Sequence, residues 1–243
     1  QKKLGALMPS IADNLNRVRE KIEQTLQSCG RTASEVTLVA VTKTHPVEVV
    51  EEALRLGIRH IGENKVQEAL RKIPLLSVPP QGFHFIGHLQ SNKINNLLSL
   101  NPLLIHSVDS LHIARELNRS LGRKNLIQDI LVQVNTTAET SKSGVSLANA
   151  EEMIWQIAAL PCLRVRGLMT IGLMSIDAER TRPYFRQLRE LFDQLSRQNI
   201  PGVELKHLSI GMSDDFEVAL EEGSNMLRLG SALFGQRTPG GAQ

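Results

Sequence analysis

The chain has few cysteines and no cysteine pattern that suggests a metal site. Its two cysteines among 243 residues, Cys29 and Cys162, are too few for a disulfide framework. No Cys-x-x-Cys pair offers the usual beginning of a zinc site. We therefore expect a reducing compartment, the cytoplasm, and no bound metal.

Aromatic side chains and long apolar runs are also scarce. Aromatics make up 3% of the residues and the basic residues are scattered, so the net charge of +3 does not indicate a nucleic-acid-binding surface. No apolar run approaches the length of a membrane span, and the opening Gln1-Lys-Lys-Leu-Gly lacks the apolar stretch of a signal peptide. We expect neither nucleic acid nor a membrane as a partner.

Short apolar runs alternate with helical patterns along most of the chain. A long amphipathic helix is predicted over about 9–29, because apolar residues recur there at helical spacing. The predicted strands are 36–42, 58–61, 83–86, 103–106, 130–134, 163–169, 205–209 and 226–229. The predicted helices between them are 47–56, 65–73, 91–98, 111–121, 147–160, 178–198 and 214–221.

Eight predicted strands that alternate with helices indicate a (β/α)8 (TIM) barrel over about 35–237. With 41% hydrophobic residues the chain can bury a core of that size, so we expect residues 1–243 to form a single α/β domain. A doubly wound open sheet is the alternative. It usually has fewer strands, however, and no Gly-x-Gly-x-x-Gly follows the first strand.

Lys43 ends the first apolar strand, which is an unusual place for an ammonium group. In a barrel it would lie at the mouth formed by the carboxyl ends of the strands, where such folds keep their chemistry. A partly desolvated lysine loses basicity and can form a Schiff base. The alternative is that Lys43 merely ends the strand and points to water.

Two later segments have the features of phosphate-binding sites. In residues 209–213 a glycine turn leads to Ser213 at the start of a predicted helix, and Gly230-Ser231 follows the eighth strand, where barrels commonly bind phosphate. Arg228 lies two residues before Gly230 and therefore shares its strand face. The alternative for the first segment is a helix N-cap at Ser213 or Asp214.

The histidines and a second lysine are weaker candidates. His84 and His88 lack the helical His-Glu-x-x-His context of a zinc hydrolase, and we interpret His84, His106 and His207 as barrel or mouth residues. Lys142 is a rival nucleophile. We expect it to be a hydrated charge in a polar loop.

Ten short motifs in order resemble those of the YggS/PROSC family of pyridoxal 5′-phosphate (PLP) homeostasis proteins. The resemblance runs from Val36 to Arg237, nearly the whole chain. The motifs lie at 40–44, 62–68, 84–93, 106–109, 133–135, 141–144, 166–169, 211–215, 228–231 and 234–235. This chain departs from the family pattern at Lys65, where a tyrosine is usual, at Ile210 and at Gly172.

The resemblance implies a barrel similar to the N-terminal domain of alanine racemase, which is PLP fold type III. By position, it implies that Lys43 holds PLP as an aldimine and that Ser213, with the backbone of Gly230 and Ser231, holds the phosphate. It further implies that Arg228 faces the pyridine nitrogen and that Asn64 and Met169 lie near the cofactor ring.

The resemblance favours a PLP-binding protein over an enzyme. A permanent guanidinium at the ring nitrogen disfavours its protonation and so weakens the cofactor as an electron sink. Alanine racemase takes its second base, a tyrosine, from a partner subunit with a second β domain, whereas the single tyrosine here, Tyr184, is predicted on a helix.

We therefore expect a monomer that binds and buffers PLP or delivers it to PLP-dependent apo-enzymes, with no catalytic residues. A monomeric amino-acid racemase with His88 as second base is the alternative. A signalling adaptor that responds to PLP is a third hypothesis.

Overall fold

The computed structural model of the protein describes residues 9–137, 139, 142–173, 175 and 177–236. The end of the predicted barrel at Arg237 and the motif residue Ser141 lie outside the described residues. The strands of the described part are β1 (Thr37–Val41), β2 (His60–Glu63), β3 (Gly82–Phe85), β4 (Leu104–Val108), β5 (Gln128–Asn135), β6 (Val145–Ser146), β7 (Leu163–Met169), β8 (Val203–Ser209) and β9 (Met226–Leu229).

Eight of these strands close into a parallel barrel. Each strand of the series β1–β5, β7, β8 and β9 pairs in parallel with the next, and β9 pairs with β1 to complete the ring. The structure thus confirms the predicted (β/α)8 barrel, because in an open doubly wound sheet the two outermost strands would not pair with each other. The sequence prediction missed β6, which pairs only with the end of β5.

Helices cover the outside of the barrel. The α-helices of the described part are α1 (Ile11–Ser28), α2 (Val47–Arg55), α3 (Val66–Lys72), α4 (Ile94–Leu98), α5 (Leu111–Gly122), α6 (Leu147–Ala158), α7 (Arg182–Ser196), α8 (Phe216–Glu221) and α9 (Ser231–Phe234). None of the helices in these residues is long and apolar enough to cross a membrane.

Local sequence explains where two of the helices begin. At the start of α1, the Ser10 hydroxyl accepts from the Asp13 backbone N–H, while the Asp13 carboxylate accepts from Ser10, which completes a capping box. The predicted helix 178–198 is divided into a 3₁₀ turn at Ala178–Thr181 and α7, with Pro183 in the first turn of α7, where its missing N–H has no helical partner to lose.

Two apolar layers lie on opposite faces of the strands. The larger one packs the outer face of the sheet against the helices and includes Ala40 and Leu227. The smaller one lies inside the barrel and consists of Val39, Leu104, Leu131, Met169 and Met226. Because strand side chains alternate between faces, this arrangement identifies which residues point inward.

Several inward positions are polar. Five inward residues alternate along their strands with members of the outer apolar layer, namely His60, His84, His106, Ser209 and Arg228. They are buried or half-buried. The interior therefore contains both apolar and hydrogen-bonding side chains, and β4 and β9 each contribute one of either kind.

Candidate functional site

Lys43 lies in a tight turn directly after β1, at the carboxyl rim of the barrel. It is half-buried, and the turn is closed by the His45 N–H, which donates to the Thr42 carbonyl over 3.1 Å. Thr44 has a φ of 68°, an uncommon conformation for a β-branched residue. Such a backbone persists only where neighbouring groups hold it.

Those neighbouring groups form a buried network of charges beneath the turn. The Lys72 Nζ donates to the Thr42 carbonyl (2.7 Å), to Glu63 Oε1 (2.6 Å) and to Glu68 Oε1 (2.9 Å). The Thr42 hydroxyl donates to Glu63 Oε1 over 2.6 Å, and the Thr44 N–H donates to Glu68. Both halves of the turn that carries Lys43 are thus tied to β2 and α3.

Sequence reasoning missed this network. Glu63 is completely buried and Lys72 is 6% exposed, whereas in the sequence they resemble ordinary charges at a strand end and on a helix. Lys72 follows Glu68 by four residues, which places both on one face of α3. That spacing was the available signal, but it also occurs in many solvated helix pairs.

Ser213 joins the loop after β8 to the start of α9. Its hydroxyl oxygen accepts from the Gly230 N–H (3.2 Å) and from the Ala232 N–H (3.0 Å). The interpretation of Ser213 or Asp214 as a helix N-cap is wrong, because α8 begins two residues later than predicted, after Asp215. The two predicted phosphate segments therefore lie together.

Arg228 points into the barrel just beneath this junction and is 4% exposed. Its Nη1 donates to the Ser209 hydroxyl (2.6 Å) and carbonyl (2.8 Å), and its Nη2 donates to the Thr170 carbonyl over 3.0 Å. Burial lowers the pKa of Arg228 to about 10, so the guanidinium still carries its charge at neutral pH.

Asn64 and Met169 complete the set of predicted site residues. Asn64 follows β2, and a Cβ on Gly87 would lie 1.9 Å from the Asn64 carbonyl oxygen, so only glycine fits beside it. The Asn64 Oδ1 is buried and has no hydrogen-bond partner among the described residues. Met169 ends β7 and belongs to the inner apolar layer.

All seven predicted site residues therefore lie at the carboxyl end of the barrel. Five strands or the loops after them supply these residues, namely β1, β2, β7, β8 and β9. Direct contacts join part of the set, since Gly230 bonds Ser213 and packs against Val41, two residues before Lys43. Their roles toward a cofactor remain predictions.

Three histidines form a line inside the barrel. The His60 Nδ1 lies 3.0 Å from His84 Nε2, and the His84 Nδ1 lies 2.8 Å from His106 Nε2. Burial lowers the pKa of His84 to about 3 and the pKa of His106 well below its usual value, to which the charge of Arg228 adds. Among the described residues no group of three His, Cys, Asp or Glu could hold a metal ion.

The rival candidates lie apart from the line. His88 is 61% exposed at the rim, with its Nδ1 3.4 Å from Asp109 Oδ2. Lys142 is less hydrated than expected, since its side chain is 23% exposed, pairs with Glu139 and donates to the Gly172 carbonyl over 3.0 Å. The prediction of a loop charge is therefore confirmed, while its hydration is lower than the sequence indicated. Tyr184 lies on α7, on the outside of the barrel.

The family model and the curated relative that match this chain each cover nearly all of it. Residues 13–238 match the family described as the N-terminal domain of alanine racemase. The pyridoxal phosphate homeostasis protein of Aquifex aeolicus is 42% identical over 225 residues, which covers 93% of this chain and 97% of that protein.

Solved structures show the same architecture. The PipY protein of Synechococcus elongatus, solved with PLP bound, superposes with a TM-score of 0.80 at 33% identity and covers 93% of this chain and all of that one. The alanine racemase of Corynebacterium glutamicum superposes with a TM-score of 0.72 over 96% of this chain and 64% of its own, but at 16% identity it shows the fold alone.

The buried histidines should make stability depend on pH. Because the folded-state pKa values of His84 and His106 lie below the unfolded value near 6.5, the unfolded chain binds protons that the folded chain does not. Their contribution is fully present above about pH 6.5 and is lost as the pH falls below it. We expect urea titrations to show the free energy of unfolding falling by on the order of 1 kcal/mol per pH unit for each of them.

The control is the exposed His112. His84→Gln should make the pH dependence shallower by about one proton, while His112→Gln should leave it unchanged. Equal slopes in all three proteins would contradict the buried, neutral state of His84.

Lys72 should be costly to remove. Lys72→Met leaves the buried Glu63 carboxylate without its cation, and we expect a loss of about 3–5 kcal/mol in the free energy of unfolding measured with urea. The double variant Glu63→Gln/Lys72→Met should lose less than the sum of the single variants, because the two groups interact directly. The exposed Lys65→Met is the control and should change stability by less than about 0.5 kcal/mol. Additive losses would contradict the pairing.

Proposed function

The chain belongs to the family of the alanine racemase N-terminal domain and to its pyridoxal phosphate homeostasis members, and from this we propose that it binds PLP covalently through Lys43 and serves the cell's PLP homeostasis. One observation carries the proposal. A half-buried lysine at the carboxyl end of β1 faces a rim where Ser213 and the start of α9 already bond one another, with Arg228 just beneath.

The residues present fit the chemical groups of PLP. The N–H groups of Gly230 and Ala232 point at the Ser213 hydroxyl oxygen, and donors directed at one acceptor suit a phosphate oxygen equally. Asn64 contributes a buried amide oxygen that needs a donor, which a bound ligand can supply. Arg228 only donates hydrogen bonds, so it suits an unprotonated pyridine nitrogen.

Each residue then has a distinct role. PLP supplies an aldehyde that reacts with amines and a ring that can delocalise charge. The Lys43 amine provides the covalent link, and the turn held by Lys72 and Glu68 fixes where that amine lies. Ser213, Gly230 and Ser231 hold the phosphate, while Met169 and Asn64 border the ring. Arg228 disfavours protonation of the ring nitrogen, because the positive charge of a protonated ring would be repelled by the guanidinium.

This arrangement suits storage and transfer of PLP better than catalysis. An unprotonated ring nitrogen weakens carbanion stabilisation. The tyrosine that alanine racemase would use has no counterpart at this rim among the described residues, since Tyr184 lies on the outside of the barrel. We propose that the protein works as a monomer in the cytoplasm, in keeping with the free cysteines Cys29 and Cys162, and passes PLP to PLP-dependent apo-enzymes.

A monomeric amino-acid racemase is the second candidate. The observation that favours it is the pair formed by His88 and Asp109 at the rim, because a carboxylate can orient an imidazole as a general base.

The covalent link is tested by borohydride reduction followed by mass spectrometry. Reduction of the PLP-loaded protein should make the link permanent and add one cofactor mass to the peptide that contains Lys43. Lys43→Ala should lose that mass and the visible absorbance of the bound cofactor, while Lys142→Ala, the matched control, should keep both. An equally reducible adduct in Lys43→Ala would overturn the assignment.

The absence of turnover is tested by following chirality. PLP-loaded protein incubated with single L-amino acids should form no D-enantiomer beyond the rate seen with free PLP and Lys43→Ala protein. Turnover that depends on both Lys43 and His88 would support the racemase instead, because each face of the substrate then has its base.

A further inference from the structure

Five inward side chains form one unbroken line of hydrogen bonds across the barrel. It runs from His60 through His84 and His106 to Ser209, whose hydroxyl lies 2.9 Å from His106 Nδ1, and ends at Arg228. His60 opens β2 and lines a cavity of about 520 Å³ at the amino end of the barrel. Arg228 lies at the carboxyl end. The line therefore connects the two faces of the fold through its interior.

The direction of these hydrogen bonds follows from the residue at one end. A guanidinium has only donors, so Arg228 Nη1 must donate to the Ser209 Oγ. Ser209 is completely buried, and the contact with His106 Nδ1 is the one described place where its own O–H can go. If His106 Nδ1 carried a proton instead, the Ser209 hydroxyl hydrogen would be a buried donor without a partner, which is unfavourable.

The same reasoning passes along the line one ring at a time. His106 accepts at Nδ1, so its proton is on Nε2 and is donated to His84 Nδ1. His84 in turn carries its proton on Nε2 and donates it to His60 Nδ1. His60 is left with its own Nε2–H. Each ring is then neutral and in the same tautomer, and every donor in the line points away from the rim.

The surroundings of the three rings agree with this assignment. His84 and His106 are buried, and burial holds their pKa values down, so neither ring binds the second proton that would break the sequence of donors and acceptors. Burial lowers the pKa of His60 as well. The charge of Arg228 further disfavours a cation at His106.

We propose that Arg228 fixes the direction of the whole line, so that His60, His84 and His106 are all neutral Nε2–H tautomers and Ser209 and His106 act as positioning residues for the guanidinium. A proton that enters from the cavity at the amino end cannot be relayed to the rim. Every hydrogen bond between the rings would have to reverse its direction, and the last acceptor, the Ser209 Oγ, already accepts from the Arg228 guanidinium. The consequence for the cofactor rests on the proposed function. The interior of the barrel then supplies no proton to the pyridine nitrogen of bound PLP.

The chain offers a way to break the line at either end. Ser209→Ala removes the link next to Arg228. At the far end, a Cβ on Gly82 would lie 2.5 Å from Leu103 Cδ2 and 2.6 Å from His60 Nδ1, so Gly82→Ala crowds the His60 ring as well as the Leu103 side chain and alters no charge. If Arg228 sets the direction of the hydrogen bonds, only Ser209→Ala should allow His84 and His106 to adopt the other tautomer.

Proton–nitrogen correlation spectra of isotope-labelled histidine report the tautomer of each ring directly. In the full chain at neutral pH without added PLP, we expect the Nε2–H pattern for His84 and His106. Gly82→Ala should keep that pattern in both rings, and Ser209→Ala should convert it to a mixture of tautomers. Ser209→Thr, which restores a hydroxyl, should recover it, and Ser224→Ala, which removes a buried hydroxyl outside the line, should keep it.

Two results would overturn the inference. One is a wild-type spectrum in which His84 or His106 is protonated at Nδ1 or at both nitrogens. This test needs no variant, so it can be made even if a variant fails to fold. The other is an unchanged pattern in folded Ser209→Ala. A second measurement separates this inference from the proposed function: in PLP-loaded protein, Ser209→Ala should shift the visible absorbance maximum and Gly82→Ala should not. If wild-type protein shows the Nε2–H pattern at His84 and His106 but forms no PLP adduct at Lys43, the proposed function is overturned and the inference stands.

Discussion

The pairing of β1 with β9 is the constraint on which the rest of the site depends. It joins the first and last of the described strands in a fixed register, with Val39 opposite Arg228 and Ala40 opposite Leu229. This register places the turn that carries Lys43 beside Gly230 and the start of α9. A shift of one residue would turn Arg228 outward and Leu227 inward, since neighbouring strand residues face opposite sides. The strand pairing that closes the barrel thus also brings the residues of the candidate site together.

The site is built on buried charge, which is a poor source of stability. Lys72 with Glu63, and Arg228 with its three oxygen acceptors, give up hydration that their contacts only partly replace. What such groups supply is geometry: each has few arrangements that satisfy all its donors, so a turn or a guanidinium is held in one orientation. The small inner apolar cluster and the larger outer layer provide the stability that this arrangement needs.

The fold was largely predictable from the sequence, because apolar runs followed by helical patterns determine both the strands and their parallel order. The strand ends then located Lys43, Arg228 and Gly230 at one rim. The Lys72 network was not predictable in the same way, since a lysine and two glutamates at short spacing fit a solvated surface equally well. The helix α8 begins later than predicted because Asp215 accepts from the Met212 N–H and holds the chain in a turn.

The histidine line lay between these cases. His84 stands between Phe83 and Phe85 in a strand, and a polar residue between two outward aromatics must point into the barrel. Its partners His60 and His106 come from the neighbouring strands β2 and β4, but the line continues to Ser209 on β8 and Arg228 on β9, so only the closed barrel reveals the whole line.

The hydrogen bonds from Gly230 and Ala232 to Ser213 have a consequence for unloading. The backbone donors that would grip a phosphate have a substitute acceptor that is part of the chain itself. If PLP binds as proposed, these half-buried N–H groups would keep the serine oxygen as an acceptor after the ligand has left. On that proposed binding mode, release of the cofactor would depend chiefly on breaking its bond to Lys43. In the proposed role as a PLP store, the covalent bond at Lys43 and the phosphate contacts at Ser213 and α9 would therefore be made by separate groups, so that one could be broken without loss of the other's hydrogen bonds.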